Sequence, residues 1–214
     1  MKTLFLHAES NLDIKELVKN VNYNGKLGLV TTIQHFQKLK EIQKLIPKSV
    51  IGGQVIGCDV KKAKAIASKV DAFLFIGSGN FHSLQIAMET EKKVIMLDPY
   101  TGQISEITEE EIEERKRRLK GAYITFLHAD KIGILVSTKE GQNRQKEALK
   151  LKDNLIKKNK KAFIFIFDTL DFTQLNNFTD IDCWVNTACL RMAIEDYSKF
   201  SKPIINLDDL NKMK

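Results

Sequence analysis

The alternation of short apolar runs with amphipathic stretches predicts an α/β protein built as two tandem repeated three-layer domains, each with a small, mostly parallel sheet flanked by helices. Two further observations support it. Segments of the first half recur in the second, and a long charged helical pattern separates the halves. The expected division is residues 1–105 for the first repeat, which carries Cys58, residues 106–130 for a connecting helix, and residues 131–214 for the second repeat, which carries Cys189.

Taken in order, residues 3–8 alternate toward a short strand, and a short helix follows to residue 20 with Asn11 or Asp13 as its cap. Residues 26–31 form a buried-strand run. An amphipathic helix then spans residues 34–46 and stops before Pro47, because the residue ahead of a proline is driven out of the helical region. A brief strand at 49–51 runs into a glycine-flanked loop at 53–59, and a helix covers 61–69. Residues 72–76 are a strand, Gly77-Ser78-Gly79 a turn, 81–90 a helix, and 94–98 a strand ended by Pro99. The connector, residues 108–129, carries Glu109, Glu110, Glu111 and Glu113 early and Arg115 to Lys120 later, the order that the helix dipole favours. Beyond it come strands at 131–137, 162–167 and 181–185, with a helix at 142–158. A loop at 186–191 follows, and segments at 194–200, 204–206 and 208–213 finish the chain.

The repeat can be read residue by residue. Lys26-Leu27-Gly28-Leu29-Val30-Thr31-Thr32 resembles Lys131-Ile132-Gly133-Ile134-Leu135-Val136-Ser137-Thr138, and Asp71-Ala72-Phe73-Leu74-Phe75-Ile76 matches Asp182-Cys183-Trp184-Val185. Lys93-Val94-Ile95-Met96-Leu97-Asp98 matches Lys202-Pro203-Ile204-Ile205-Asn206-Leu207-Asp208. Strand, helix, strand at this spacing requires parallel pairing through right-handed crossovers. Open sheets of this kind take ligands at the C-terminal ends of their strands, so a cleft between the repeats, lined by those loops, is the expected site.

Composition narrows the class. Hydrophobic residues at 43% and charged residues at 29% are ordinary for a globular chain of 214 residues. No apolar run approaches the ~20 residues that cross a bilayer, and the N-terminus is too short to be a signal peptide, so no membrane partner and a cytoplasmic location are expected. Three cysteines fit a reducing compartment rather than a disulfide framework. The charge of +7 comes from lysines spread along helices without interleaved aromatics or arginines. That pattern reads as solvated helix faces rather than as a direct nucleic-acid footprint.

Both loops that carry the outer cysteines fall at strand ends. Cys58 lies in Gly53-Gln54-Val55-Ile56-Gly57-Cys58-Asp59, after the second strand of the first repeat. Cys189 lies in Asn186-Thr187-Ala188-Cys189, after the third strand of the second repeat and near Gly79 in the alignment of the repeats. A cysteine among small residues at such a position is open to a cleft, where a thiolate binds metal or reacts. We read the two as ligands of one iron–sulfur site reached from different loops, the alternative being a pair of unrelated buried thiols. Cys183, inside a strand beside Trp184, reads as a small buried hydrophobe. Gly77-Ser78-Gly79 ahead of a helix presents backbone N–H groups suited to a carboxylate, or simply joins strand to helix. His82 orients substrate or moves a proton, or caps its helix. Gln54, Gln142 and Arg144 are polar cleft candidates, and Asp59 is a candidate cap for the helix at 61–69. There is no CxxC pair, HExxH or Walker loop, so zinc and nucleotide hydrolysis have little support.

These segments together carry a resemblance. The Gly53-to-Asp59 loop, Phe73-Leu74-Phe75-Ile76-Gly77-Ser78-Gly79-Asn80-Phe81-His82, Leu97-Asp98-Pro99-Tyr100, Val136-Ser137-Thr138-Lys139-Glu140-Gly141-Gln142 and Val185-Asn186-Thr187-Ala188-Cys189 resemble, in the same order, the archaeal diphthamide synthase, the radical enzyme of diphthamide biosynthesis. Ser83 and Leu190 depart from it, standing where that family usually has proline.

The resemblance implies a 4Fe-4S cluster held by three cysteines, one from each of three related domains, with the fourth iron open to S-adenosylmethionine as substrate. The 3-amino-3-carboxypropyl group released from it is added to a histidine of elongation factor 2. This chain resembles only the second and third domains. Cys58 and Cys189 are then two of the metal ligands, and the expected partner is a chain supplying the missing first domain and third cysteine, with a homodimer as a further arrangement. An accessory or degenerate relative that docks on a complete synthase or on elongation factor 2 is the alternative, and a cluster-free small-ligand protein the third reading.

Overall fold

In the computed structural model, which describes residue 4 and residues 6–213, strand and helix alternate through two compact units that divide between Glu113 and Glu114. The first contains β1 (Leu27–Thr31), β2 (Ser49–Gln54), β3 (Ala72–Ile76), β4 (Lys93–Leu97) and β5 (Ile104–Glu106), in the order β2-β1-β3-β4-β5. The first four are parallel and β5 runs antiparallel to β4. Its helices are α1 (Lys15–Lys19), α2 (Leu39–Leu45), α3 (Lys61–Ile66) and α4 (Asn80–Thr90). Every residue of β1 and β3 is buried, which is why these strands read as unbroken apolar runs. Along β3 the side chains alternate: Phe73 and Phe75 join Ala63 of α3 and Ile86 of α4 on one face. Ala72, Leu74 and Ile76 join Val18 of α1 and Ile42 of α2 on the other. The result is three layers.

The second unit repeats the plan. β6 (Lys131–Ser137), β7 (Lys161–Phe167), β8 (Cys183–Asn186) and β9 (Ile204–Asn206) are all parallel, in the order β7-β6-β8-β9. Helix α5 (Glu109–His128) contains the boundary between the units, within the segment that the sequence assigns to a connector. It is followed by α6 (Gln145–Ile156), α7 (Phe172–Leu175), α8 (Arg191–Ile194) and α9 (Leu207–Lys212). Ile132, Ile134 and Val185 pack with Phe126 of α5, Leu151 of α6 and Leu210 of α9, while Leu135, Trp184 and Ile204 pack with Ala193 of α8 on the other face.

The internal repeat is physical. Asp71 accepts from the Lys26 N–H at 2.7 Å, and Asp182 accepts from the Lys131 N–H at 2.8 Å, so an aspartate ahead of the third strand anchors the start of the first in both units. Gly28 pairs with Phe73 and Gly133 with Trp184. A Cβ on either glycine would lie 2.7 Å from the phenyl ring or 2.2 Å from the indole, so glycine is what lets these rings lie flat against the neighbouring strand. Burial of such a ring contributes about 4–6 kcal/mol as an upper bound.

Several elements differ from the sequence reading. Residue 4 and residues 6–8 form no strand, and the remainder of that expected strand lies outside the described residues. The helix expected at 34–46 opens as a 3-10 stretch, Ile33–Lys38, and becomes α-helical only at Leu39. The helix expected from 142 begins at Gln145, because Gly141 takes a φ of 79° and Asn143 accepts from the Gln145 N–H at 3.1 Å. The segment at 194–200 holds the last residue of α8 and the 3-10 turn Asp196–Lys199. No described helix is long and apolar enough to cross a membrane.

Candidate functional site

Cys58 is carried by a tight turn at the C-terminal end of β2. The ladder between β1 and β2 shifts register between Leu29 and Val30, leaving Gly52 as an extra residue that bends β2 before the turn. The Val55 N–H bonds to the Thr31 carbonyl at 2.8 Å, and Ile56 and Asp59 then exchange backbone hydrogen bonds of 3.1 and 2.9 Å, closing the turn with Gly57 and Cys58 at its tip. Cys58 is exposed. A Cβ on Gly57 would lie 2.1 Å from the Phe81 ring, so only glycine lets the turn lie against the start of α4. Asp59 accepts from the Lys61 N–H at 3.1 Å, but it stands one residue before the N-cap of α3, Val60, rather than at the cap itself.

The same edge of the first sheet gathers the other candidates of that unit. Gln54 ends β2, half-buried and paired with Thr31, whose hydroxyl donates to the Ile76 carbonyl at 2.7 Å. Gly77-Ser78-Gly79 follows β3, and Gly79, with φ 79°, is the N-cap of α4. With glycine at the N-cap, that position offers no capping side chain to the first N–H groups of α4. The His82 ring lies against Phe75 and Phe81, 5.7 and 5.2 Å away. Asp98 follows β4. Partial burial pushes its carboxyl up, but hydrogen bonds from the Tyr100 N–H, the Ser78 hydroxyl and the Thr101 N–H outweigh this and hold it below the usual range.

Sequence reasoning missed His35. It follows β1 at this edge, is 1% exposed, and meets Tyr100 edge-on at 6.2 Å. Its Nδ1 has no hydrogen-bond partner. Burial pushes the imidazole below its ordinary value, Lys38 adds to this, and Asp98 opposes it. The available signal was a histidine just past the polar Thr31-Thr32 end of a strand, obscured by the helical periodicity assigned to its segment.

In the second unit a buried polar network fixes the Cys189 loop. Asn186, Thr187 and Asn206 are all fully buried. The Asn186 amide donates to the Cys189 carbonyl at 2.8 Å and to Asn206 Oδ1 at 2.7 Å, and its Oδ1 accepts from the Ala188 N–H at 2.9 Å. The Thr187 hydroxyl donates to the Leu135 carbonyl at 2.7 Å. Asn206 in turn donates to Asp209 at 3.2 Å, which also accepts from Arg115 at 3.0 Å. Cys189 is half-buried. Arg144 makes a two-pronged contact with Asp208, 2.9 Å to each oxygen, and Gln142 lies in the turn before α6, its N–H bonded to the Lys139 carbonyl. Arg144 is therefore a cation whose position is set by Asp208.

The three thiols differ in reach. Cys183 is 1% exposed within β8, and burial pushes its thiol up to about 12. None of the three is in a disulfide, and the described residues contain no cluster of three or more His, Cys, Asp or Glu able to hold a metal ion.

The diphthamide synthesis protein family matches residues 1–213 of this chain. The chain belongs to that family. The 2-(3-amino-3-carboxypropyl)histidine synthase of Pyrococcus horikoshii is 33% identical over 95% of this chain and 63% of its own length. The synthase of Methanocaldococcus jannaschii is 31% identical over 95% of this chain and 59% of its own. The crystal structure of Dph2 from Pyrococcus horikoshii with a 4Fe-4S cluster superposes with a TM-score of 0.78 and 28% identity, covering 96% of this chain and 63% of that one. The chain thus spans about three-fifths of the length of these relatives, with their fold.

Proposed function

We propose that this chain is a component of a diphthamide synthase that transfers the 3-amino-3-carboxypropyl group of S-adenosylmethionine to a histidine of translation elongation factor 2 by a 4Fe-4S-dependent radical route. One observation carries the reading: the family match runs through both cysteine loops, and each loop leaves the C-terminal end of a strand in a parallel sheet with its thiol within reach of solvent. The synthase names of its relatives and the cluster in the Pyrococcus structure support it.

The donor chemistry fits such a cluster in part. Cys58 and Cys189 would serve as two soft thiolate ligands, while Cys183, protonated at neutral pH by its burial, is unsuited. The third ligand is assigned to a chain carrying the domain that this one does not match, since the relatives extend well beyond the matched region. When bound, a cluster with one iron free of cysteine supplies an electron and a binding position for S-adenosylmethionine.

The chain's own residues then bind and orient. The Ser78 and Gly79 N–H groups ahead of α4 donate to the substrate carboxylate, while the Gly77 N–H is held by the Leu97 carbonyl at 3.1 Å. Gln54 and His82 supply polar contacts at that edge of the first unit, and Gln142 and Arg144 do so in the second. Asn186 holds the Cys189 carbonyl so that the thiol keeps one position.

Anaerobic reconstitution with iron and sulfide tests this. The chain alone should bind iron poorly. Co-expression with the first domain of an archaeal synthase should give a brown, oxygen-sensitive cluster that Cys58→Ala and Cys189→Ala each abolish, together with modification of elongation factor 2. A full cluster on the isolated chain, or diphthamide formation that survives both substitutions, would overturn the reading.

A further inference from the structure

Within the second unit a cavity of about 410 Å³ opens beside the edge strand β9. Arg115 and Arg118 of α5 line one side, and Tyr197, Ser198, Ser201 and Lys202 line the other. The lining therefore carries three cations and no carboxylate among the described residues. The segment from Tyr197 to Lys202 leads into the N-terminal end of β9, which runs parallel to β8, whereas Cys189 follows the C-terminal end of β8. This segment belongs to the end of the sheet away from the cysteine loop.

Each arginine has a carboxylate partner, Asp209 for Arg115 and Glu114 for Arg118. Arg115 is 4% exposed, and its carboxylate partner Asp209, 3.0 Å from one terminal nitrogen, is shared with Asn206. The Nε of Arg115 is buried without a hydrogen-bond partner, and the buried Nε of Arg118 makes no hydrogen bond but lies 3.6 Å from Glu114 in an ion pair. The Arg118 guanidinium stacks on the Tyr197 ring at 3.9 Å, which fixes its plane. Burial lowers the basicity of Arg115, the neighbouring Arg118 charge lowers it further, and Asp209 opposes both. Two guanidinium groups one helical turn apart, joined by Lys202 across the cavity, give the lining an excess of positive charge that suits an anion.

We propose that this cavity binds the phosphoryl group of a small organic phosphate. Donors approach from two sides: guanidinium N–H groups from α5, and two hydroxyls and an ammonium from the loop before β9. A phosphate monoester offers three acceptor oxygens to such a set, while a carboxylate offers two and leaves donors unpaired. The volume exceeds that of a bare phosphate, and Phe200, Ala193 and Pro203 add an apolar wall for the attached organic part.

Calorimetric titration of the full chain at physiological salt tests the proposal, with phenyl phosphate, inorganic phosphate and benzoate as probes. Phenyl phosphate should bind at one site, more tightly than phosphate and at least tenfold more tightly than benzoate. Arg118→Gln and Lys202→Gln should each weaken it at least tenfold. Lys157→Gln, at an exposed lysine that does not line the cavity, should leave it unchanged. These variants spare buried Arg115, and circular dichroism confirms that they fold. Failure of phenyl phosphate to saturate, equal binding of benzoate, or binding that survives Arg118→Gln and Lys202→Gln would overturn the proposal.

Discussion

Replacing Asn186 with alanine tests the most consequential feature of the second unit, the polar network beneath Cys189. The substitution removes three hydrogen bonds of 2.7, 2.8 and 2.9 Å from a fully buried site. A net loss of about 1 kcal/mol for each gives about 3 kcal/mol, and the stranded Ala188 N–H and Asn206 Oδ1 raise it toward ~4 kcal/mol unless water enters. Against a domain stability of roughly 5–15 kcal/mol this is a large fraction. For a unit of about 100 residues it corresponds to a fall in Tm of roughly 10–25 °C. The single tryptophan, Trp184, lies two residues before Asn186 in the same strand, β8, so its fluorescence during urea unfolding reports on this unit. The isosteric Thr187→Val, which removes only the bond to the Leu135 carbonyl, should cost about 1 kcal/mol and calibrates the scale. Alkylation of Cys189 should also accelerate in Asn186→Ala, because its carbonyl anchor is gone. A loss below ~0.5 kcal/mol with an unchanged alkylation rate would refute the claim that this network fixes the loop.

Three further outcomes are expected. Gly57→Ala forces a Cβ to within 2.1 Å of the Phe81 ring and should destabilise by about 1–3 kcal/mol; Phe81→Leu should recover part of this in a double-mutant cycle, and additivity would argue against the contact. In the native protein at pH 8 a thiol reagent should label Cys58 and Cys189 but not Cys183, with the third site appearing on unfolding. Because the Cys183 thiol is raised from about 9 to about 12, its contribution to stability is complete below pH 9 and is lost as pH rises toward 12, a loss that Cys183→Ala should remove. His35 has the opposite sense: its folded value lies below the ordinary 6.5, so its stabilisation is present above that pH and is lost as pH falls through the folded value. Denaturant midpoints measured from pH 7 to pH 5 should fall more steeply in the native sequence than in His35→Gln.

The strands buried on both faces were the most legible parts. β3 begins and ends where its apolar run does, because burial on both sides leaves no polar residue within the run to blur the limits, and β6 matches the expected 131–137 with its apolar run framed by Lys131 and Ser137. β5 was missed, since Ile104–Glu106 is a three-residue edge strand with too few side chains to set a period. Helix α7, Phe172–Leu175, is a single turn opened by Asp171, and short turns of this kind leave no periodic trace. The cysteine loops could be found because small residues surround both thiols. The network behind Cys189 could not: Asn186 meets Asn206 across 20 residues of sequence, and Arg115 meets Asp209 across 94. Such partners carry no local signal, and the polar residues involved read as ordinary loop and helix-surface positions until the fold brings them together.

The repeat also determines how the two reachable thiols must be understood. Counting from the paired Gly28–Phe73 and Gly133–Trp184 positions, Cys189 in the second unit stands where Ser78 stands in the first. Counting along the second strand of each sheet, Cys58 stands where Leu170 stands, and the next residues, Asp59 and Asp171, both accept from a backbone N–H at the start of the following helix. The scaffold around each thiol is thus duplicated while the thiol is not. The difference extends to the neighbouring carboxylates at the ends of β4 and β9. Asp98 is satisfied by N–H and hydroxyl donors, including that of Ser78, whereas its counterpart Asp208 is neutralised by the Arg144 guanidinium. A cysteine in place of Ser78 would stand beside an uncompensated carboxylate, which opposes formation of a thiolate. The repeat accounts for the positions from which ligands can be offered, and the local charge at Asp98 gives a physical reason for hydroxyl rather than thiol at Ser78.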